Sequence, residues 1–156
     1  MDLKQLYQDI ILEHGKSPRN LGKCEGYSHE AKGYNPLCGD KVHVYLKLDT
    51  EKKVENLTFE GDGCAISLAS ASIMTELVKG RSINDAKEIM SAFLNMIKNT
   101  SEMKSNHLDE DQKTKIMSLS GVKQFPMRVK CATLSWHTLN SAMDEKKEEV
   151  NTEVMD

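Results

Sequence analysis

The chain has no excess of positive charge: among its 156 residues, 21 lysines and arginines face 24 aspartates and glutamates, a net of -3. That balance leaves no electrostatic footprint for a nucleic acid and no polybasic patch for a membrane surface. Long apolar runs are missing too. No stretch of about 18 apolar residues occurs, which argues against a membrane-spanning helix. Met1-Asp2-Leu3-Lys4 opens directly into an amphipathic pattern rather than a secretory leader, so the expected location is the cytoplasm. Aromatic residues make up only 5%, and one tryptophan stands against nine methionines; a mainly aliphatic core is expected. Internal repeats are absent.

Cysteine is scarce but placed with purpose. Four are present, with no C-x-x-C among them. In a cytoplasmic chain they point to metal or redox chemistry rather than a disulfide framework, which a domain of this length does not need. Residues 1–143 read as one domain. The run Asp144-Glu-Lys-Lys-Glu-Glu149 and its continuation to Asp156 read as a charged, solvated tail.

Periodicity gives the organisation. Leu3, Leu6, Tyr7, Ile10 and Ile11 share one helical face, ended by His14-Gly15 and Pro18. Residues 22–33 suggest a short edge strand. Val42, Val44, Leu46 and Leu48 alternate with His43, Tyr45 and Lys47, the pattern of a half-buried strand, and Leu57 and Phe59 carry a second one back. From Ala65 to Val78 the period becomes helical, with small residues (Ser67, Ser70, Ala71, Ser72) permitting close packing. Gly80 ends that helix, and Ser82-Ile-Asn-Asp85 has the form of a capping box for the next, which runs through Ile97. A polar stretch from Lys98 to Ser120 contains a short helix from Asp109 to Leu119, broken by Gln124-Phe125-Pro126. A last helical stripe begins at Cys131. Strands first and helices after predict an α+β domain: a small antiparallel sheet of about three strands with helices packed on it.

The chemistry gathers around Asn35-Pro36-Leu37-Cys38-Gly39-Asp40. Gly39 frees the backbone to turn a thiol and a carboxylate toward one point. Cys64 and Cys131 each fall near the start of a predicted helix, where partial positive charge lowers a thiol pKa. If both starts converge on the Cys38 turn, Cys38, Asp40, Cys64 and Cys131 form a donor set suited to zinc, and equally to an iron–sulfur cluster. Three thiolates and a carboxylate leave about two negative charges beside a divalent ion; two helix N-termini and Arg128, three residues before Cys131, are the expected compensation. The gaps are long, with 25 residues between Cys38 and Cys64 and 66 between Cys64 and Cys131. Spacing alone therefore leaves open that these are three small buried hydrophobes. Cys24 reads as a strand or surface thiol, and none of the five histidines has a spacing that demands metal.

Three blocks, Asn35–Asp40, Phe59–Ile73 and Arg128–Trp136, resemble in order those of the U-type iron–sulfur cluster assembly proteins, the family of IscU and the NifU N-terminal domain. The likeness covers residues from Leu3 to Met143 and is nearest to the zinc-dependent SufU branch. Lys130 stands where IscU-type scaffolds carry a histidine, and residues 98–120 resemble the extra segment of SufU. The resemblance implies a SufE/NifU-like fold and one zinc ion per chain held by Cys38, Asp40, Cys64 and Cys131. It also implies that Cys38 accepts persulfide sulfur from a SufS-like cysteine desulfurase, assisted by Asp40 and Arg128, and passes it to downstream iron–sulfur assembly proteins. A scaffold carrying a transient [2Fe–2S] cluster is the alternative.

Overall fold

The computed structural model describes residues 2–98 and 107–154. Helix α1 (Leu3–Lys16) starts at Asp2, whose carboxylate accepts the Gln5 N–H at 2.8 Å. It runs to Lys16, one residue past the expected end at His14-Gly15. Gly15 serves there as a point of close approach, since a Cβ on it would lie 3.2 Å from the Ala65 side chain. Strands β1 (His29–Asn35), β2 (Asp40–Leu48) and β3 (Val54–Asp62) form an antiparallel meander. The alternation predicted for β2 holds on its inner face, where Val42, Val44 and Leu46 are buried. Tyr45, on the outer face, is buried as well, because Tyr27 and His43 pack against its ring.

Helices α2 (Ala65–Val78), α3 (Ile83–Lys98), α4 (Glu110–Ser118) and α5 (Pro126–Met143) follow. The small residues of α2 do what their size permits. Ser72 Oγ accepts the Arg19 N–H and sits 2.8 Å from His14 Nδ1, fastening α1, while Ser70 Oγ accepts the Trp136 indole N–H at 3.0 Å, fastening α5. Phe93 of α3 stacks on Trp136 at 4.3 Å. Ser82 supplies half of the expected capping box, accepting the Asp85 N–H, and Asp109 with Gln112 forms a complete one for α4. Residues 99–106 of the predicted polar stretch lie outside the described residues.

Two expectations change. The first concerns α5. Pro126 does end the preceding 3-10 helix (Leu119–Gln124), but it also opens α5 itself, because its fixed φ suits the first helical position. Cys131 thus sits in the second turn, beyond the free N–H groups of the helix start. The second concerns the sheet and the tail. Val150–Asn151 forms strand β4, parallel to β1, so the sheet has four strands in the order β3-β2-β1-β4 and β1 is not an edge. Asp144–Glu149 is exposed as the charge run suggests, yet Thr152 beyond it is buried. A buried polar group needs a partner, and Thr152 finds one in Asn35 at 2.9 Å. Met155 and Asp156 lie outside the described residues. Among the described residues no helix is long and apolar enough to cross a membrane.

The sheet and α5 meet at Gly33. A Cβ there would stand 2.1 Å from Thr138 Oγ1 and 2.9 Å from Leu134 Cδ1, so only glycine lets β1 lie this close to the helix that carries Cys131. Gly33→Ala is expected to lower unfolding stability by about 1–3 kcal/mol, the range for overpacking, as read from a urea titration of the metal-free protein.

Candidate metal centre

A four-residue loop joins β1 to β2, closed by the facing pair Asn35 and Asp40. Gly39 takes φ +72°, a left-handed value that favours glycine. The loop presents Cys38, half-buried, behind the exposed Leu37. Asp40 begins β2 and is fully buried. A buried carboxylate requires donors, and it has two: Oδ1 accepts the Cys64 backbone N–H at 2.8 Å, and Oδ2 accepts from Asn35 Nδ2 at 3.2 Å. The first bond brings the start of α2 to the loop. Gly63 makes it possible, since a Cβ at that position would fall 2.3 Å from Asp40 Oδ1.

Cys64 caps α2, its sulfur accepting the Ser67 N–H at 3.5 Å and lying 4.0 Å from Asp40 Oδ2. From α5, Cys131 Sγ comes within 3.2 Å of Cys38 Sγ, well beyond the ~2.05 Å of a disulfide; all four cysteines are free thiols. Arg128, one turn earlier, holds Nη1 3.7 Å from Cys38 Sγ. The ligand atoms of Cys38, Asp40 and Cys131 all lie within 4.8 Å of one another. A tetrahedral zinc with bonds of about 2.3 Å to sulfur keeps its sulfurs about 3.8 Å apart. The two thiols need separate by only roughly half an ångström to fit, and the donor set of thiols plus one carboxylate suits the ion.

The electrostatics follow from these contacts. The Cys131 thiol, donating to Cys64, and the Ser67 N–H draw the Cys64 thiol down to about 6, against burial and the Asp40 charge. Cys131 moves the other way: its proton is held by Cys64 and its surroundings are dry. Hydrogen bonding with Cys131, and then the charge of Cys38 and Cys64, raise Arg128. Burial, and then the charge of Cys64, raise the phenol of Tyr7 on α1. Charge compensation comes from one helix start, at Cys64, together with Arg128, rather than from two helix starts.

The residues 6–132 match the family model described as the NifU-like N terminal domain. The chain belongs to that family. It is 40% identical over 146 residues to the zinc-dependent sulfurtransferase SufU of Bacillus subtilis (strain 168), covering 94% of this chain and 95% of that one. It is 36% identical over 141 residues to the iron–sulfur cluster assembly scaffold protein IscU of Streptococcus pyogenes serotype M1, covering 90% and 84%. The crystal structure described as an iron–sulfur cluster assembly scaffold protein for the SUF system (FiSufU), from Fervidobacterium islandicum AW-1, superposes with a TM-score of 0.78 at 36% identity, covering 89% of this chain and 97% of that one. The NifU-like N-terminal domain from Brucella abortus, at 21% identity and a TM-score of 0.79 over 92% and 95%, shares the fold. The α+β architecture is thus that of SufU and the NifU N-terminal domain.

Of the residues sequence reasoning expects at one centre, Cys38, Asp40 and Cys131 form the mutual cluster, Arg128 lies against Cys38, and Cys64 stands at its side, with Sγ 4.0 Å from Asp40 Oδ2. Cys24 is buried in the loop before β1, accepting from Asn56 Nδ2 at 3.5 Å, rather than lying at the surface or in a strand. Lys130 turns outward to Glu153 at 3.3 Å. His107 pairs with Glu88 on α3, and His14 with Ser72. Asn35 had no role assigned, although it stands in the quoted block. An amide facing the acid across a four-residue hairpin was the available signal. In the metal-free protein, iodoacetamide labelling of Cys64 is expected to rise with pH around 6 and level off above it, because the thiolate is the reactive form. Cys131→Ala removes the donor and should move that midpoint upward, as mass spectrometry of the labelled peptide would read.

Proposed function

We propose that this chain accepts persulfide sulfur from a cysteine desulfurase and passes it toward iron–sulfur cluster assembly in the cytoplasm. One observation carries the reading. Cys38 stands on the four-residue loop of the β1–β2 hairpin with a guanidinium 3.7 Å away, while Asp40 and Cys131 are buried. Cys38 and Cys64 are half-buried and Cys131 is buried; of the two more accessible thiols, Cys38 is the one carried on the loop between β1 and β2. The 40% identity to a zinc-dependent sulfurtransferase supports the same reading.

Zinc held by Cys38, Asp40, Cys64 and Cys131 would keep the thiols ionised and guard them from oxidation. In the transfer, the Cys38 thiolate attacks the outer sulfur of the desulfurase persulfide. The bond between that sulfur and the desulfurase cysteine breaks, its electron pair leaving with the desulfurase thiolate. Cys38 then carries the new S–S bond, and no outside oxidant or reductant is consumed. Arg128 stabilises the Cys38 thiolate before attack. Asp40, a harder donor than sulfur and fixed by two hydrogen bonds, would help Cys64 and Cys131 hold the ion without relying on Cys38.

A second reading has its own support. The thiols of Cys38 and Cys131 with Asp40, and Cys64 beside Asp40, also suit a [2Fe–2S] cluster carried as cargo, and the Streptococcus pyogenes relative is named a scaffold. Against it, the residue before the third cysteine is Lys130, engaged with Glu153, where scaffolds of the IscU type carry a histidine.

Desulfurase turnover with added cysteine separates the two once zinc and iron per chain are counted. The relay predicts about one zinc per chain, a colourless protein, and stimulation of turnover that Cys38→Ala abolishes. Iron with a visible cluster, and turnover indifferent to Cys38, would establish the scaffold instead. Arg128→Ala should reduce stimulation by about tenfold, equivalent to ~1.4 kcal/mol, with zinc content unchanged; loss of zinc would place Arg128 in holding the metal.

A further inference from the structure

Asn35 uses its amide in three directions at once. Nδ2 donates to Asp40 Oδ2 at 3.2 Å and to Cys131 Sγ at 3.4 Å, and Oδ1 accepts from Thr152 Oγ1 at 2.9 Å. Asn35 and Asp40 are fully buried and Thr152 nearly so. An amide can face either way, and the reversed orientation would set its oxygen against a carboxylate. The Thr152 hydroxyl, donating to the oxygen, selects the orientation that points both N–H groups at Asp40 and Cys131. Thr152 comes from the segment that follows α5. It is fixed there by β4, with Val150 facing Gly33 and Asn151 facing Tyr34, and by the Glu153–Lys130 pair beside Cys131.

We propose that Asn35 is a positioning residue for Asp40 and Cys131, and that the C-terminal strand acts on the site through the single hydroxyl of Thr152. The segment after Met143 is thereby part of the site's machinery rather than a passive tail. The inference rests on the reading of Asp40 and Cys131 as zinc ligands, which outer partners of this kind orient. It makes the site sensitive to anything that lifts β4 from β1.

The test uses the full-length zinc-loaded protein as wild type, Thr152→Val and Thr152→Ser, with Ile89→Val as a control for small losses of core stability. Ile89 is buried on α3. Competition with a chromophoric chelator should show zinc held about tenfold more weakly in Thr152→Val, and near wild type in both Thr152→Ser and Ile89→Val. Unchanged affinity in Thr152→Val, or equal weakening in Ile89→Val, would overturn the proposal. A metal-independent readout separates its failure from that of the zinc reading. In the metal-free protein, the two Asn35 side-chain amide protons should appear by nitrogen-15 NMR as distinct, slowly exchanging signals in wild type and Thr152→Ser. They should collapse toward solvent-averaged positions in Thr152→Val. If wild type takes up no zinc while this pattern holds, the zinc reading fails and the positioning stands; no difference between the variants sinks the positioning.

Discussion

The last rung of the β1–β2 hairpin, where Asn35 faces Asp40, is the contact on which the site depends. It puts a carboxylate with no access to water beside an amide that can satisfy it, and it sets the loop in between to the length that carries Cys38 outward. A buried donor or acceptor left without a partner costs about 1–3 kcal/mol, so the surroundings of this rung are tightly constrained. Asp40 needs a second donor and takes the Cys64 N–H, which draws in the start of α2. Asn35 has a second N–H and turns it on Cys131, and its oxygen takes the Thr152 hydroxyl. Four distant parts of the chain meet because two adjacent polar side chains in a dry place must be satisfied.

Glycines mark where backbone must come closer than a side chain allows. Gly33 seats β1 on α5 and Gly63 makes room for the Asp40 carboxylate. Neither is chosen for a left-handed φ, unlike Gly39 in the loop. The small residues of α2 work alike, with Ser70 and Ser72 serving as both spacers and fasteners for α5 and α1. The sulfur site is thereby held against closely packed helices.

Much of this was legible in residues alone. The period-2 run from Val42 to Leu48, the small-residue helix from Ala65 to Val78 and the Asp109 cap each act through local rules, and each stands where those rules place it. The approach of Cys38, Asp40 and Cys131 was legible by resemblance, since spacing left alternatives open. What stayed hidden depends on partners remote in sequence. Pro126 reads equally as a stop and as a first helical residue, which misplaced Cys131 relative to its helix start. Val150–Asn151 is too short to announce a strand and becomes one only beside β1. Asn35 and Thr152 are 117 positions apart and meet only in the folded chain.

The central claim is that one thiol, Cys38 on the hairpin loop, takes the incoming sulfur while Cys64 and Cys131 do not. The direct measurement is mass spectrometry of this protein after brief incubation with a cysteine desulfurase and cysteine, with alkylation before digestion. The account predicts a single added sulfur atom, located on the peptide that carries Cys38. Added sulfur on Cys64 or Cys131 with Cys38 unmodified, or no added sulfur while the desulfurase is itself persulfidated, would contradict it.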